Sequence, residues 1–161
     1  MRTKQLTRAL KTHPETRDVF LGVFPSDKLP RVVPPSRGAV ALIANTDPSH
    51  KAGQHWCAFY ITPECAYFFD SYGNPPSMVK SFDRLMRCRR RQKVFGRRIQ
   101  GEGRVCGHYC LYYILQMTRL HGRLMADDVA AATLFARFGD DLNANDRVVR
   151  NYAMANFRIV T

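Results

Sequence analysis

Residues 106–121 constrain the fold more than any other stretch of the chain. Cys110, Leu111, Ile114, Leu115 and Met117 alternate with Tyr109, Tyr112 and Tyr113, so a helix there is apolar nearly all round. Such a helix belongs at the buried centre, with the other elements packed around it, and Gly122 suits its stop. It opens on Cys106 and Gly107, which sets a thiol where a helix carries unpaired N–H groups and partial positive charge.

The elements around it are mixed in type. Residues 38–46 are a short apolar run bounded by Gly38 and by Asn45-Thr46-Asp47-Pro48, as a buried strand would be. Residues 55–62 and 66–71 are aromatic and β-branched, and Pro63-Glu64 between them predicts a hairpin. Ser77 can cap a helix that carries Met78, Phe82, Leu85 and Met86 on one face. A further strand is expected over 94–100, followed by a turn at 101–104. Asp127 or Asp128 can begin a third helix ending at Phe138, and 145–157 a fourth. This order predicts an α+β fold: a mixed, mainly antiparallel central sheet packed against helices, with Cys106 at the N-terminus of the buried central helix. At 161 residues, without repeats or a long linker, a single domain spanning 1–161 is expected, and the Pro-rich stretch 29–35 reads as extended surface.

Charge is the second constraint. The formal net charge is +12, and much of it lies in one stretch, where Lys80, Arg84, Arg87, Arg89, Arg90, Arg91, Lys93, Arg97, Arg98 and Arg104 face only Asp83 and Glu102. Such a stretch fits the phosphates of nucleic acid, which makes Arg84 to Arg98 candidate DNA contacts; alternatively it is a solvated face that aids solubility. No apolar run approaches the ~18 residues of a membrane span, and the start lacks an apolar leader, so an intracellular protein without a membrane partner is expected. The five cysteines, Cys57, Cys65, Cys88, Cys106 and Cys110, are then expected as free thiols.

Several residues suit nucleophilic chemistry. A thiol at a helix N-terminus is biased toward thiolate, and the N–H groups there can stabilise an oxyanion. Gly107 would allow close approach of a substrate. His55, before Trp56, and Asp70, before Ser71-Tyr72-Gly73, lie at the ends of the two hairpin strands, where a base and its orienting carboxylate could meet the thiol. Gln100 offers an amide donor to an oxyanion. Taken singly, each has a plainer reading: a structural cysteine, a packed histidine, a turn aspartate, an exposed glutamine.

Together they resemble a known family. His55-Trp56, then Asp70-Ser71-Tyr72-Gly73, then Gln100 six residues before Cys106-Gly107-His108-Tyr109-Cys110, resemble the cysteine protease superfamily shared by ubiquitin-like-protein (SUMO) proteases and the adenovirus maturation protease. Phe20-Leu21-Gly22-Val23-Phe24, Asn45-Thr46 and a Gly53 loop leading to His55-Trp56 look like the adenovirus (adenain-like) branch, and the likeness spans about residues 15–120. The resemblance implies that Cys106 attacks the scissile carbonyl, His55 moves the proton, Asp70 orients His55, Gln100 and the Cys106 N–H hold the oxyanion, and Trp56 walls the substrate channel. It further implies viral precursor proteins as substrates, cut at glycine-containing sites during virion maturation, by a monomer acting in the virion and the host nucleus. No cofactor is implied for the chemistry, although DNA or a short peptide activates the adenovirus enzyme. Asp70 matches the ubiquitin-like-protein proteases, whereas the adenovirus enzyme has Glu. The chain is also shorter after residue 120, and Cys88 lies in the region of the cysteine that bonds the activating peptide.

Four other readings compete. A chymotrypsin-like cysteine protease has strands after its nucleophile, where this chain reads as helix. A metal site built on Cys106, His108 and Cys110 lacks convergent spacing, since positions two and four apart on a helix do not meet at one tetrahedral ion, so no metal ligand is expected. A cellular deconjugating protease would use the same residues. An inactive basic DNA-binding module would keep the fold without the reaction.

Overall fold

The computed structural model describes residues 1–31, 38–121 and 127–159. Among these, five strands form one sheet in chain order: β1 (Phe20–Phe24), β2 (Val40–Asn45), β3 (Trp56–Ile61), β4 (Cys65–Phe69) and β5 (Arg91–Phe95). Its middle is antiparallel, β2 with β3 and β3 with β4, and each edge strand joins in parallel, β1 to β2 and β5 to β4. The helices are α1 (Thr3–Thr12), α2 (Lys80–Met86), α3 (Cys106–His121), α4 (Asp127–Phe135) and α5 (Leu142–Asn156). The fold is α+β, as the order of elements predicts.

Both faces of the sheet are covered, and strand periodicity assigns each side chain to one of them. Ala41, Ile43, Ala58, Tyr60, Tyr67 and Phe69 point into the larger core with Leu6 and Leu10 of α1, nearly all of α3, and Val149 and Ala153 of α5. The alternate residues Leu42, Ala44, Phe59, Ile61, Ala66 and Phe68 point the other way, onto Phe82, Leu85 and Met86 of α2. Burial on both faces explains why these strands read as continuous apolar runs. The α3 helix occupies 106–121 as its composition requires, and Tyr113, fully buried, stacks on Phe69 with ring centroids 4.7 Å apart.

Tertiary context overrides local signals at several places. Ser77 is not a helix cap: it lies in a short 3-10 turn (Pro76–Met78), and α2 starts at Lys80 after Val79 without a side-chain cap. Met78 is 40% exposed and takes no part in the apolar face. The strand expected over 94–100 lies earlier, since pairing of Cys65 with Arg91 through Phe69 with Phe95 fixes its register, and Gln100 lies beyond it in irregular chain. The last helix begins at Leu142, where the Asp141 carboxylate accepts the Ala144 N–H at 2.9 Å. Helix α1 and strand β1 were not among the expected elements, although Leu6, Ala9 and Leu10 of α1 recur at the i, i+3, i+4 spacing of one helix face. Gly122, part of the 29–35 stretch and the side chains of Asp127 and Asp128 lie outside the described residues.

Candidate active site

The β3–β4 hairpin turns at Pro63-Glu64, where Thr62 Oγ1 accepts the Cys65 N–H at 3.0 Å, and its open end holds His55 and Asp70. His55 immediately precedes β3, its carbonyl accepting the Thr46 N–H at 3.0 Å. Asp70 immediately follows β4. A tight turn then reverses the chain: the Gly73 N–H donates to the Asp70 carbonyl at 2.9 Å, and Gly73 adopts φ +77. A Cβ there would stand 2.8 Å from the Arg98 nitrogen and the Gly96 oxygen, so only glycine fits. Helix α3 begins at the same end of the sheet, with Val105 accepting the first helical N–H groups from His108 and Tyr109.

Cys106, His55 and Asp70 are thereby brought together at one end of the sheet. His55 Nε2 meets Asp70 Oδ1 at 2.6 Å, and Cys106 lies close enough to His55 for each to shift the other's charge state. Since Nε2 is taken by the carboxylate, Nδ1 is the nitrogen left for the sulfur, a tautomeric detail the sequence did not reveal. Asp70 is fully buried; its Oδ1 also accepts the Tyr72 N–H and its Oδ2 the Asn74 side-chain amide, each at 2.9 Å. Tyr72 lies against the imidazole with ring centroids 4.9 Å apart.

The electrostatics favour separated charge. Burial alone would lower the His55 pKa, but its bonds to Asp70 and Cys106 carry it up to about 9. Burial would raise the Cys106 thiol, but the His55 hydrogen bond, the Trp56 and Gly107 backbone N–H groups and the imidazolium charge outweigh it and hold the thiol below its ordinary value. Burial also opposes the Asp70 carboxylate, and His55, Tyr72 and Asn74 together bring it below the usual range. These interactions all favour a thiolate–imidazolium pair next to a buried carboxylate.

A cleft of about 630 Å³ opens over the sulfur, lined by His55, Trp56, Tyr72, Gln100, Glu102, Arg104 and Cys106 together with Met1, Gly53 and Gln54. A second cavity shares Met1, Gly53 and Trp56 with it, so Trp56 borders both. Gln100 is nearly fully buried and tightly held: Ser71 Oγ donates to its Oε1 at 2.6 Å, and its Nε2 donates to the Gly103 carbonyl at 2.7 Å and to the Tyr72 hydroxyl at 3.1 Å. The close approach expected at Gly107 is made by helix α1. A Cβ on Gly107 would come within 3.1 Å of Met1 and 3.2 Å of Leu6, and what Gly107 gives the site is its N–H.

His55, Cys57 and Asp70 also present potential metal-ligating atoms within 4.8 Å of one another. The 2.6 Å contact between His55 and Asp70 is a hydrogen bond, too short for two ligands of one tetrahedral ion, which stand about 3.4 Å apart at ~2.1 Å bond lengths. Cys57 is fully buried, and burial pushes its thiol well up.

The basic residues are partly consumed within the chain. Arg98 lies over the Tyr72 ring and donates to the Gln100 carbonyl at 3.2 Å. Arg97 donates to the Phe138 carbonyl at 3.3 Å and lies over Phe135, and Arg89 donates to the Thr62 carbonyl at 2.8 Å. Arg87 pairs with Asp83 at 2.6 Å on the α2 surface. Arg84, Arg90 and Arg91 are exposed, and Lys93 is half-buried on β5.

Sequence reasoning named His55, Asp70, Gln100, Cys106, Trp56 and Gly107 but missed Asn74, Ser71 and Tyr72 as supports, although the last two lie within the quoted motif. It missed Asn145 and Asp146 entirely, because α5 carries no motif.

No protein-family profile matches the chain, and neither does any curated protein. Among solved structures, the central domain of an uncharacterized Lpg1148 protein from Legionella pneumophila is similar at a TM-score of 0.52 and 14% identity, over 96% of this chain and 94% of that one. The ASFV pS273R protease is similar at a TM-score of 0.48 and 22% identity, over 76% of this chain and 45% of that one, so this chain spans under half of that protein's length. The chain thus shares the fold of the Legionella domain.

Proposed function

We propose that the chain is a cysteine endopeptidase in which Cys106 is the nucleophile, His55 the general acid and base, and Asp70 the residue that orients the imidazole. The observation that carries this reading is the buried chain from Asp70 through His55 to a thiol held below its ordinary pKa, at the floor of a cleft. The Cys106 thiolate attacks a peptide carbonyl, forming the carbon–sulfur bond and moving the carbonyl π pair onto oxygen. The Cys106 N–H and Gln100 Nε2 receive that oxyanion, the latter by exchanging its longer bond to the Tyr72 hydroxyl. His55 Nδ1–H then protonates the leaving amine as the C–N bond breaks. Water, deprotonated by the same nitrogen, releases the acyl group and restores the thiolate.

Within this class we favour an adenain-like role: cleavage of viral precursor proteins at glycine-containing junctions, in the virion or the host nucleus, by a monomer that DNA or a short peptide stimulates. The motifs described above and the exposed residues Arg84 and Arg90 support that choice. A ubiquitin-like-protein deconjugating protease would use the same four residues, and an inert DNA-binding module would use none. The deciding experiment digests peptides with Gly-Gly and Gly-Ala junctions, with and without DNA, beside a ubiquitin-like fusion. Cleavage that Cys106→Ala abolishes in a protein of unchanged fold supports the enzyme, and its persistence in that variant defeats the assignment. Stimulation by DNA should weaken with salt, log affinity falling about 0.9 per phosphate neutralised for each unit of log salt.

A further inference from the structure

The chain around Gln100 is held from a distance. On either side of it, Ile99 and Gly101 are anchored by side chains of α3 and α5: the Ile99 carbonyl accepts from Tyr109 Oη at 2.9 Å and Asn145 Nδ2 at 3.1 Å, and the Gly101 N–H donates to Asp146 Oδ1 at 3.1 Å. Two residues on, the Gly103 N–H donates to Asp146 Oδ2 at 2.9 Å, while the Gly103 carbonyl accepts the Gln100 side-chain amide at 2.7 Å. Tyr109 Oη also lies 3.0 Å from Asp146 Oδ1, so the buried carboxylate gathers two backbone N–H donors and shares the one hydroxyl proton of Tyr109 with the Ile99 carbonyl. The backbone is shaped to admit it. A Cβ on Gly103 would lie 2.6 Å from Asp146 Oδ2, and one on Gly101 would lie 2.5 Å from Asn143 Oδ1.

We infer that the start of α5 sets the oxyanion-binding loop, with Asp146 as the positioning residue that fixes Gly101 and Gly103 and, through the Gly103 carbonyl, aims the Gln100 amide at the cleft. This rests on the peptidase reading above, and it gives α5, which holds none of the reacting groups, a part in the reaction. Asp146 touches no reacting atom. Its effect passes through two backbone amides, so it governs where charge is received and leaves the thiolate–imidazolium pair alone.

The test separates oxyanion binding from thiolate formation. Iodoacetamide alkylates a thiolate by displacement and needs no oxyanion hole. A peptide aldehyde adds the Cys106 sulfur to its carbonyl carbon, and the resulting oxygen occupies the hole. In Asp146→Asn, one carboxylate oxygen becomes an NH2 that faces an N–H donor. The expected result is a ten- to hundred-fold loss of kcat with KM within two-fold, a matching loss of aldehyde affinity, and an unchanged rate and pH midpoint of Cys106 alkylation. Tyr109→Phe, which removes one donor from the cluster, should show the same split at two- to five-fold and serves if the first variant does not fold. Unchanged kcat and aldehyde affinity overturn the inference, and so does an alkylation rate that falls by the same factor. If the wild-type chain cleaves no peptide and binds no aldehyde, the peptidase reading fails separately. Amide hydrogen exchange still judges the anchor, which requires at least ten-fold faster exchange at Gly101 and Gly103 in whichever variant folds, with β2 to β4 unchanged, and equal exchange refutes it.

Discussion

Asp70 and Asp146 are both buried carboxylates that accept three hydrogen bonds, yet their surroundings fit them for different work. Asp70 accepts from an imidazole, a backbone N–H and an amide, and one of those donors can become a cation. Asp146 accepts from two backbone N–H groups and from a phenol whose single proton it shares with the Ile99 carbonyl, all neutral, and burial followed by the Asp146 charge pushes the Tyr109 hydroxyl well up, so that it remains a donor. The contrast teaches that a buried negative charge can tune a proton or fix a backbone, and that its partners decide which. Removing the first should alter both rate and pH dependence; removing the second should alter rate alone.

The largest effect expected is from Asp70→Asn. It leaves a donor facing His55 and should lower kcat by ~10²–10⁴-fold, read by steady-state peptide cleavage. A near-normal rate would make Asp70 a turn residue, and the comparison would collapse. Next comes the pH profile. His55, raised to about 9 from 6.5, places the alkaline limb of kcat/KM near 9, and Asp70→Asn should move that limb to lower pH while Asp146→Asn should not. Stability follows the same groups. The His55 contribution is complete below pH 6.5 and lost as pH rises through about 9, whereas that of Asp70, whose pKa is lowered from 3.8, is present above 3.8 and lost as pH falls through its folded value. Denaturant melts across pH should show both losses in the wild type. Smaller again is the selectivity of alkylation. At pH 7 Cys106 should react well ahead of half-buried Cys88, whose thiol burial pushes up, as peptide mapping would show. The smallest effect is that of Asn74→Ala, which removes one of three donors to Asp70 and should cost about 1 kcal/mol of stability and a few-fold in rate. A loss as large as that of Asp70→Asn would mean that the amide, not the imidazole, dominates the carboxylate.

The two carboxylates also mark what could be read from sequence. Asp70 was legible because it adjoins an aromatic strand and a Ser-Tyr-Gly turn, with His55 on the strand before it. Asp146 was not, because its partners lie 37 to 45 residues away and nothing in Asn-Ala-Asn-Asp-Arg distinguishes a buried acid from a solvated one. The same divide runs through the fold. Helix 106–121 and the three central strands declare themselves by apolar content, whereas β5 carries Arg91 and Lys93 and becomes a strand only by pairing with β4. Gln100 was identified by residue type, but its hold by Ser71 and Gly103 comes from a turn and a loop that meet only in three dimensions.

His55 and Asp70 sit at the mouth of one hairpin, 15 residues apart, whereas Cys106 reaches them only when α3 docks across the sheet. Hairpins close in microseconds from local contacts, and long-range docking comes later. In the peptidase proposed above, the base and carboxylate are thus a local pairing and the sulfur a long-range one, so the lowered pKa of the thiol depends on the seating of the central helix.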